Sequence, residues 1–133
     1  MKELTDIFKA LSDKTRLRLF YILNKAKKDV AVCELVDAVE ENQYNVSKHL
    51  HILESAGMIR ENKNGRWVLY SAVKKLPVQL DCIILKLEHS KFSDDFERLN
   101  RRLGLRKNGE IVACCVAREL MKKGVKKTKG DKK

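Results

Sequence analysis

"NQYNVSKHLHILESAGMI", residues 42–59, carries two patterns at once. Val46, Leu50, Leu53 and Ala56 recur at helical spacing and form one apolar face, while Gln43, Tyr44, Asn45, Ser47 and Lys48 fill the first two turns on the other sides. Asn42 suits the N-cap of this helix and Gly57 its left-handed end. Upstream, Val32, Leu35, Val36 and Val39 in "VCELVDAVEE" repeat the same spacing, and Glu-Glu-Asn-Gln at 40–43 breaks it. Two short helices across a tight turn make a helix-turn-helix.

The second helix of such a pair buries one side in its own domain and offers hydrogen-bonding side chains to base edges from its N-terminal turns. We therefore assign Gln43, Asn45 and Ser47 to bases and Lys48 to phosphate, with Tyr44 in the same turns. His49 is able to donate to a phosphate, although a histidine beside the turn also suits a structural role. His51, a turn further on, suits packing or the surface.

Working outward, Leu4, Ile7, Phe8 and Leu11 define one face of a short helix that ends near Ser12 and Asp13. Asp13 caps the next helix, residues 14–26, where Leu17, Leu19, Phe20, Ile22 and Leu23 cover more than half the circumference, as in a centrally buried helix. After Gly57 the period changes: in "MIRENKNGRWVLYSAV" two β-prone runs flank Asn64-Gly65, a strong hairpin signal. The ribbon tip carries Lys63, Asn64 and Arg66, and we place Lys63 and Arg66 at phosphates or the minor groove, though a solvated turn has the same composition. The expected fold is mainly α with a small β-hairpin: a winged helix-turn-helix dimerised through terminal helices.

Pro77 suits the start of a further helix that carries two apolar stripes. Leu80, Ile83, Ile84 and Leu87 form one, and Val78, Cys82, Leu85, His89, Phe92, Phe96, Leu99 and Leu103 the other, in unbroken heptad phase. A helix apolar on two faces needs two surfaces to bury against, so the second stripe points to a homodimer. Ser93-Asp94-Asp95 offers an alternative cap that would bend this rod. Asn108-Gly109 marks a turn, and Ile111, Val112 and Val116 suit a strand where "ARELMKK" suits a helix. The expected organisation is a DNA-binding core over 1–75, a long dimerisation helix over 76–104, an effector segment over 105–121 and a disordered tail over 122–133.

Across 133 residues, 29 Lys and Arg against 18 Asp and Glu give a net charge of +11, which favours a polyanionic partner. The tail "KKGVKKTKGDKK" holds seven lysines and one aspartate, so it suits either a phosphate-contacting arm or a solubilising one. No apolar run reaches membrane-spanning length, and the amphipathic start "MKELTDIFKALSD" does not resemble a signal peptide. A cytoplasmic protein with no membrane partner is expected, its four cysteines reduced. No phosphate-binding glycine loop, carboxylate pair or nucleophile–base set appears, so we do not expect an enzyme.

Together "ALSDKTRLRLFYIL", "VCELVDAV", "NVSKHLHILESAGMI" and "NGRWVLYS" resemble the ArsR/SmtB winged-helix repressors, in order and spacing over about residues 4–73. The resemblance implies a dimeric transcriptional repressor on double-stranded operator DNA, needing no cofactor to bind it and leaving when an effector binds. It places residues 43–56 in the major groove and pairs the subunits through the last helices. Where arsenic-sensing members open the third helix with two cysteines spaced by one residue, this chain has Ala31 and Cys33; the Asp-x-His of zinc-type sites is here Asp81-Cys82-Ile83. Both familiar sites are broken.

Cys114 and Cys115 remain, adjacent thiols that as thiolates prefer soft ions, and Cys33 is the candidate third ligand of a trigonal site for trivalent arsenic or antimony. Burial is the alternative for each, and Cys82 fits a core position. Two other functions stay open: a redox or reactive-sulfur sensor that links a cysteine pair, and a winged helix used only for protein contact.

Overall fold

A computed structural model describes residues 4–74, 90–113, 116, 117, 119 and 120. Along the chain run α1 (Leu4–Ala10), α2 (Lys14–Ala26), β1 (Val30–Ala31), α3 (Val32–Val39), α4 (Gln43–Ser55), β2 (Ile59–Asn64), β3 (Trp67–Ala72) and α5 (Ser90–Leu103). This is a mainly α winged helix-turn-helix, as the sequence predicts.

The punctuation works as its chemistry requires. The Asp13 carboxylate accepts from the backbone N–H groups of Thr15 and Arg16 at 2.8 and 3.2 Å, and the Asn42 side chain accepts from Asn45 N–H at 2.8 Å, so both caps supply acceptors to donors that the first turn leaves without intrahelical partners. Gly57, at φ 76°, lets Met58 N–H reach back to the Leu53 carbonyl and closes α4. Ala31 has no acceptor to cap α3, and Glu34 makes the reciprocal contact alone, accepting from Ala31 N–H at 2.9 Å.

The core forms around α2: Leu19, Phe20, Ile22 and Leu23 are fully buried, together with Leu35, Val46, Leu50 and Leu53. Of the face expected on α1, Ile7 is buried, whereas Leu4 and Phe8 remain 42% and 54% exposed.

The sheet is antiparallel in the order β1-β3-β2. Sequence reasoning missed β1, because two residues carry no period; it pairs Val30 with Tyr70 and Ala31 with Leu69. The hairpin loop lies one residue later than Asn64-Gly65. Asn64 pairs with Trp67, leaving Gly65 and Arg66 as the two loop residues. Gly65 has φ +62°, while Arg66 is not among the positive-φ residues, the II′ pattern with glycine first. The Asn-Gly signal does hold at Asn108-Gly109, where both residues have positive φ and Lys107 bridges Glu110.

Helix α5 continues through Ser93-Asp94-Asp95, as the unbroken heptad phase predicts, and the alternative cap there is not used. One expectation for the C-terminal third changes. Phe92, Phe96, Leu99 and Leu103, the second half of the supposed dimer stripe, pack against the chain's own core, with Phe92 stacked on Tyr21 at 5.1 Å between centroids. Residues 90–103 therefore pack on the winged-helix unit. Residues 111–113 form neither strand nor helix, and 116, 117, 119 and 120 are helical. Val78, Cys82, Leu85, His89 and the first stripe lie outside the described residues, as do Cys114, Cys115 and the lysine-rich tail.

Candidate nucleic-acid interface

Val46, Leu50 and Leu53 are wholly buried, and this fixes which residues of α4 face outward. Gln43, Tyr44 and Lys48 are exposed, Tyr44 at 76%, and Asn45 and Ser47 are half-buried. Gln43, Ser47 and His51 follow at i, i+4 and i+8 along one wall of a cleft of about 460 Å³. Its other walls are the wing, through Glu61, Arg66, Trp67, Val68 and Tyr70, and the start of α3 with Ala113.

The wing edge is polar. Only Ile59 of β2 is buried, and residues 60–66 are exposed, which presents Lys63 and Arg66 to a ligand. Arg66 lies over the Trp67 ring at 4.8 Å, a contact that steadies the guanidinium while leaving its donors available. Burial, with Glu61 and Glu54 nearby, pushes the Tyr70 phenol up to about 12, so the cleft floor is an uncharged hydroxyl.

His49 does not belong with this exposed set. Its side chain is 13% exposed, and Nδ1 lies 3.1 Å from Nη1 of Arg16, which also donates through Nε to the Ala10 carbonyl at 2.6 Å. Arginine has only donors, so Nδ1 accepts, which leaves the ring proton on Nε2, 3.9 Å from Asp13. Burial lowers the pKa of His49, Asp13 opposes this, and Arg16 and Lys48 add to it. The imidazole fastens α4 to the α1–α2 corner as a neutral ring.

Sequence reasoning also missed an ionic seam between α5 and α3. Arg98, Arg102 and Arg106 follow at i, i+4 and i+8. Arg98 donates to Asp95 at 2.6 Å and to the Ala38 carbonyl at 2.7 Å, and Arg102 donates to Asp37 at 2.7 Å. Arg106 grips both oxygens of Glu34 at 2.8 and 2.6 Å. From α2, Arg18 adds a two-pronged pair with the fully buried Asp95 at 2.7 and 2.9 Å, and this bonding, with Asp95's charge, raises the arginine's pKa against the cost of burial. The i, i+4 arginines and the acids of α3 were the available signal, though each row alone reads as a solvated face.

Cys33, on the first turn of α3, meets this seam. Its sulfur lies 3.5 Å from Nη2 of Arg102 and 3.8 Å from the Val112 carbonyl. Cys114 and Cys115 lie outside the described residues, so Cys33 is the one proposed thiol ligand whose surroundings are visible. Among the described residues no cluster of three His, Cys, Asp or Glu side chains could hold a metal ion.

An apolar rod with an exposed polar first turn, beside a basic two-stranded ribbon, defines a winged-helix regulator. The family model for the bacterial regulatory proteins of the arsR family matches residues 13–61, the span from the cap of α2 into the first strand of the wing. The arsenic resistance transcriptional regulator ArsR2 of Pseudomonas putida is 39% identical over 72 residues, 54% of this chain and 62% of that protein. The arsenical resistance operon repressor of Escherichia coli is 34% identical over 71 residues, 53% and 60% of the two chains. An HTH-type transcriptional regulator of Methanocaldococcus jannaschii is 37% identical over 68 residues, 51% of this chain and 75% of that one. The chain thus spans about three fifths of the length of the first two relatives.

This protein belongs to the ArsR family of transcriptional regulators. That family consists of regulators rather than enzymes. Among the described residues, no helix is long and apolar enough to cross a membrane.

Proposed function

We propose that the protein is a DNA-binding transcriptional repressor, acting as a homodimer on double-stranded operator DNA and released by a thiol-binding effector, trivalent arsenic or antimony. The observation that carries the DNA reading is α4: three fully buried aliphatic residues orient Gln43, Tyr44, Ser47 and Lys48 away from the core. Gln43, Asn45 and Ser47 read base edges, Lys48, Lys63 and Arg66 hold phosphates, and Tyr44 flanks them. The dimer reading draws on the apolar stripes of residues 78–89 in the sequence, and Leu4 and Phe8, a large apolar pair that α1 leaves at the surface, support it.

The effector reading draws on the relatives named for arsenic resistance and on Cys33. Cys33 lies 3.8 Å from the Val112 carbonyl, and Cys114 and Cys115 follow Val112 by two and three chain steps, at most about 7 and 11 Å, which supports a site drawn from one subunit. Three thiolates would complete a trigonal site for a soft ion. Ligation there would pull on the segment that Arg102 ties to α3, and α3 packs directly on α4.

The test is anisotropy of a labelled duplex from the gene's own upstream region, titrated with reduced protein in the presence and absence of arsenite. Release by arsenite that Cys114→Ser abolishes supports the assignment. Tight binding indifferent to arsenite removes the metalloid and keeps the repressor. Weak binding without salt dependence points instead to a winged helix that contacts protein.

A further inference from the structure

Behind the wing lies a second cleft, of about 580 Å³, between the end of α2 and the base of the ribbon. Lys27 and Lys28 reach it from the end of α2, Arg60 from β2 and Lys74 from just past β3, all four exposed. Among the described residues none of these side chains makes an ion pair or a hydrogen bond. Asp29, the carboxylate that lines the cleft with them, accepts from Asn62 Nδ2 at 3.3 Å. Lys27 and Lys28 complement the negative end of α2, a role that does not account for Arg60 and Lys74 on the ribbon. The cleft is therefore a concave surface with an excess of unmatched positive charge.

The lining is not all basic. Leu23, Ala72 and Val73 give it an apolar wall, and Asn24, only 8% exposed, adds an amide. The amide nitrogen donates to the Phe20 carbonyl at 2.9 Å, which leaves the side-chain oxygen with no partner among the described residues. A nearly buried acceptor of this kind is completed by a donor that enters the cleft.

The alternation of the ribbon separates this cleft from the surface assigned to DNA. Successive strand residues point to opposite faces, and Glu61 lines the cleft shared with Gln43, Ser47 and Arg66, so Arg60 and its cross-strand partner Ser71 lie on the reverse. The bond from Asn62 to Asp29 marks the same reverse face. Along β2, four strand steps, about 13 Å, separate Arg60 from Asn64 at the tip.

We propose that this cleft binds a small phosphate ester of nucleotide size. Lys27, Lys28, Arg60 and Lys74 hold its phosphates, a hydroxyl or amino group donates to Asn24, and the organic body lies on the apolar wall. The site depends neither on a thiol effector nor on the proposed reading of α4.

The experiment titrates the full reduced chain by calorimetry with adenosine diphosphate, inorganic pyrophosphate and adenosine, at physiological ionic strength and without divalent metal. One adenosine diphosphate per chain is expected to bind, pyrophosphate at least about threefold more weakly, and adenosine not measurably. Arg60→Gln and Lys28→Gln are each expected to weaken binding by about tenfold, while Lys14→Gln, at the other end of α2, leaves it unchanged. Asn24→Ala is expected to bring adenosine diphosphate down to the level of pyrophosphate; should that variant misfold, the ratio of the two wild-type affinities decides the role of Asn24. No saturable binding, equal affinity for pyrophosphate and adenosine diphosphate, or uniform weakening by every charge substitution, Lys14→Gln included, overturns the proposal. So does a loss in Lys48→Ala as large as in Arg60→Gln, which would put the phosphates on the face of α4.

Discussion

The two sides of α3 are held by opposite kinds of chemistry. Towards α2 and α4 it packs aliphatic side chains, Leu35 against a core that includes Leu19, Leu50 and Leu53. Towards α5 it presents Glu34 and Asp37 to Arg106 and Arg102, and its last residue, Val39, gives its carbonyl to Arg18 of α2, which pairs in turn with Asp95 of α5. The aliphatic side loses stability gradually as atoms are removed, whereas the ionic side depends on every partner being present, because a buried charge without its partner costs more than the pair gains. The side facing α4 is thus packed, and the side facing the C-terminal segment is held by ion pairs.

Removing one partner on the ionic side should have the largest effect. Asp95→Ala leaves Arg18 buried and unpaired, and urea denaturation should show a loss of about 3–5 kcal/mol. Adding Arg18→Met should recover much of that loss; a double variant no better than the single would mean that packing, not charge matching, dominates there. Leu50→Ala, on the aliphatic side, should cost about 2–5 kcal/mol, and the paired Leu50→Met should cost under about 1.5. A large loss from methionine would show that this side also demands a unique fit.

Smaller effects come from the joints. Asn42→Ala deletes the acceptor for Asn45 N–H and should lower stability by about 1 kcal/mol, with Asn42→Asp close to wild type in the same denaturation assay. His49 gives the smallest. Its pKa in the folded chain lies below the ordinary 6.5, so between those two values the unfolded chain binds more protons than the folded one. Stability is complete above pH 6.5 and declines as pH falls through that window. His49→Gln should flatten this decline; an unchanged profile would mean that the ring does not titrate against Arg16 and Asp13.

The comparison also explains what could be read from the sequence. Val46, Leu50 and Leu53 repeat with the helical period, and Asn42 and Gly57 have terminal geometries that few other residues favour, so α4 and its exposed row were legible. The ionic seam was not. Arg98, Arg102 and Arg106 share a period with nothing apolar, and only the contact with α3 distinguishes them from a solvated face. Phe92, Phe96, Leu99 and Leu103 showed that the helix buries a stripe but not against what, and the structure gives that partner as the chain's own core. His49 was ambiguous for the same reason, since its partner Arg16 lies on another helix. The hairpin loop lies one place later than Asn64-Gly65 because Gly65 fits either position of a two-residue loop, and the register of Glu61 opposite Tyr70 decides between them.

The most direct test of the account is the salt dependence of duplex binding for the wild type, Lys48→Ala and Gln43→Ala, on the upstream sequence and on a scrambled one. Affinity is predicted to fall steeply with salt. Lys48→Ala should lower the slope by about one and weaken both duplexes alike, while Gln43→Ala should cost about 1–3 kcal/mol on the upstream sequence alone. Binding that ignores salt and both substitutions would contradict the placement of α4 on DNA.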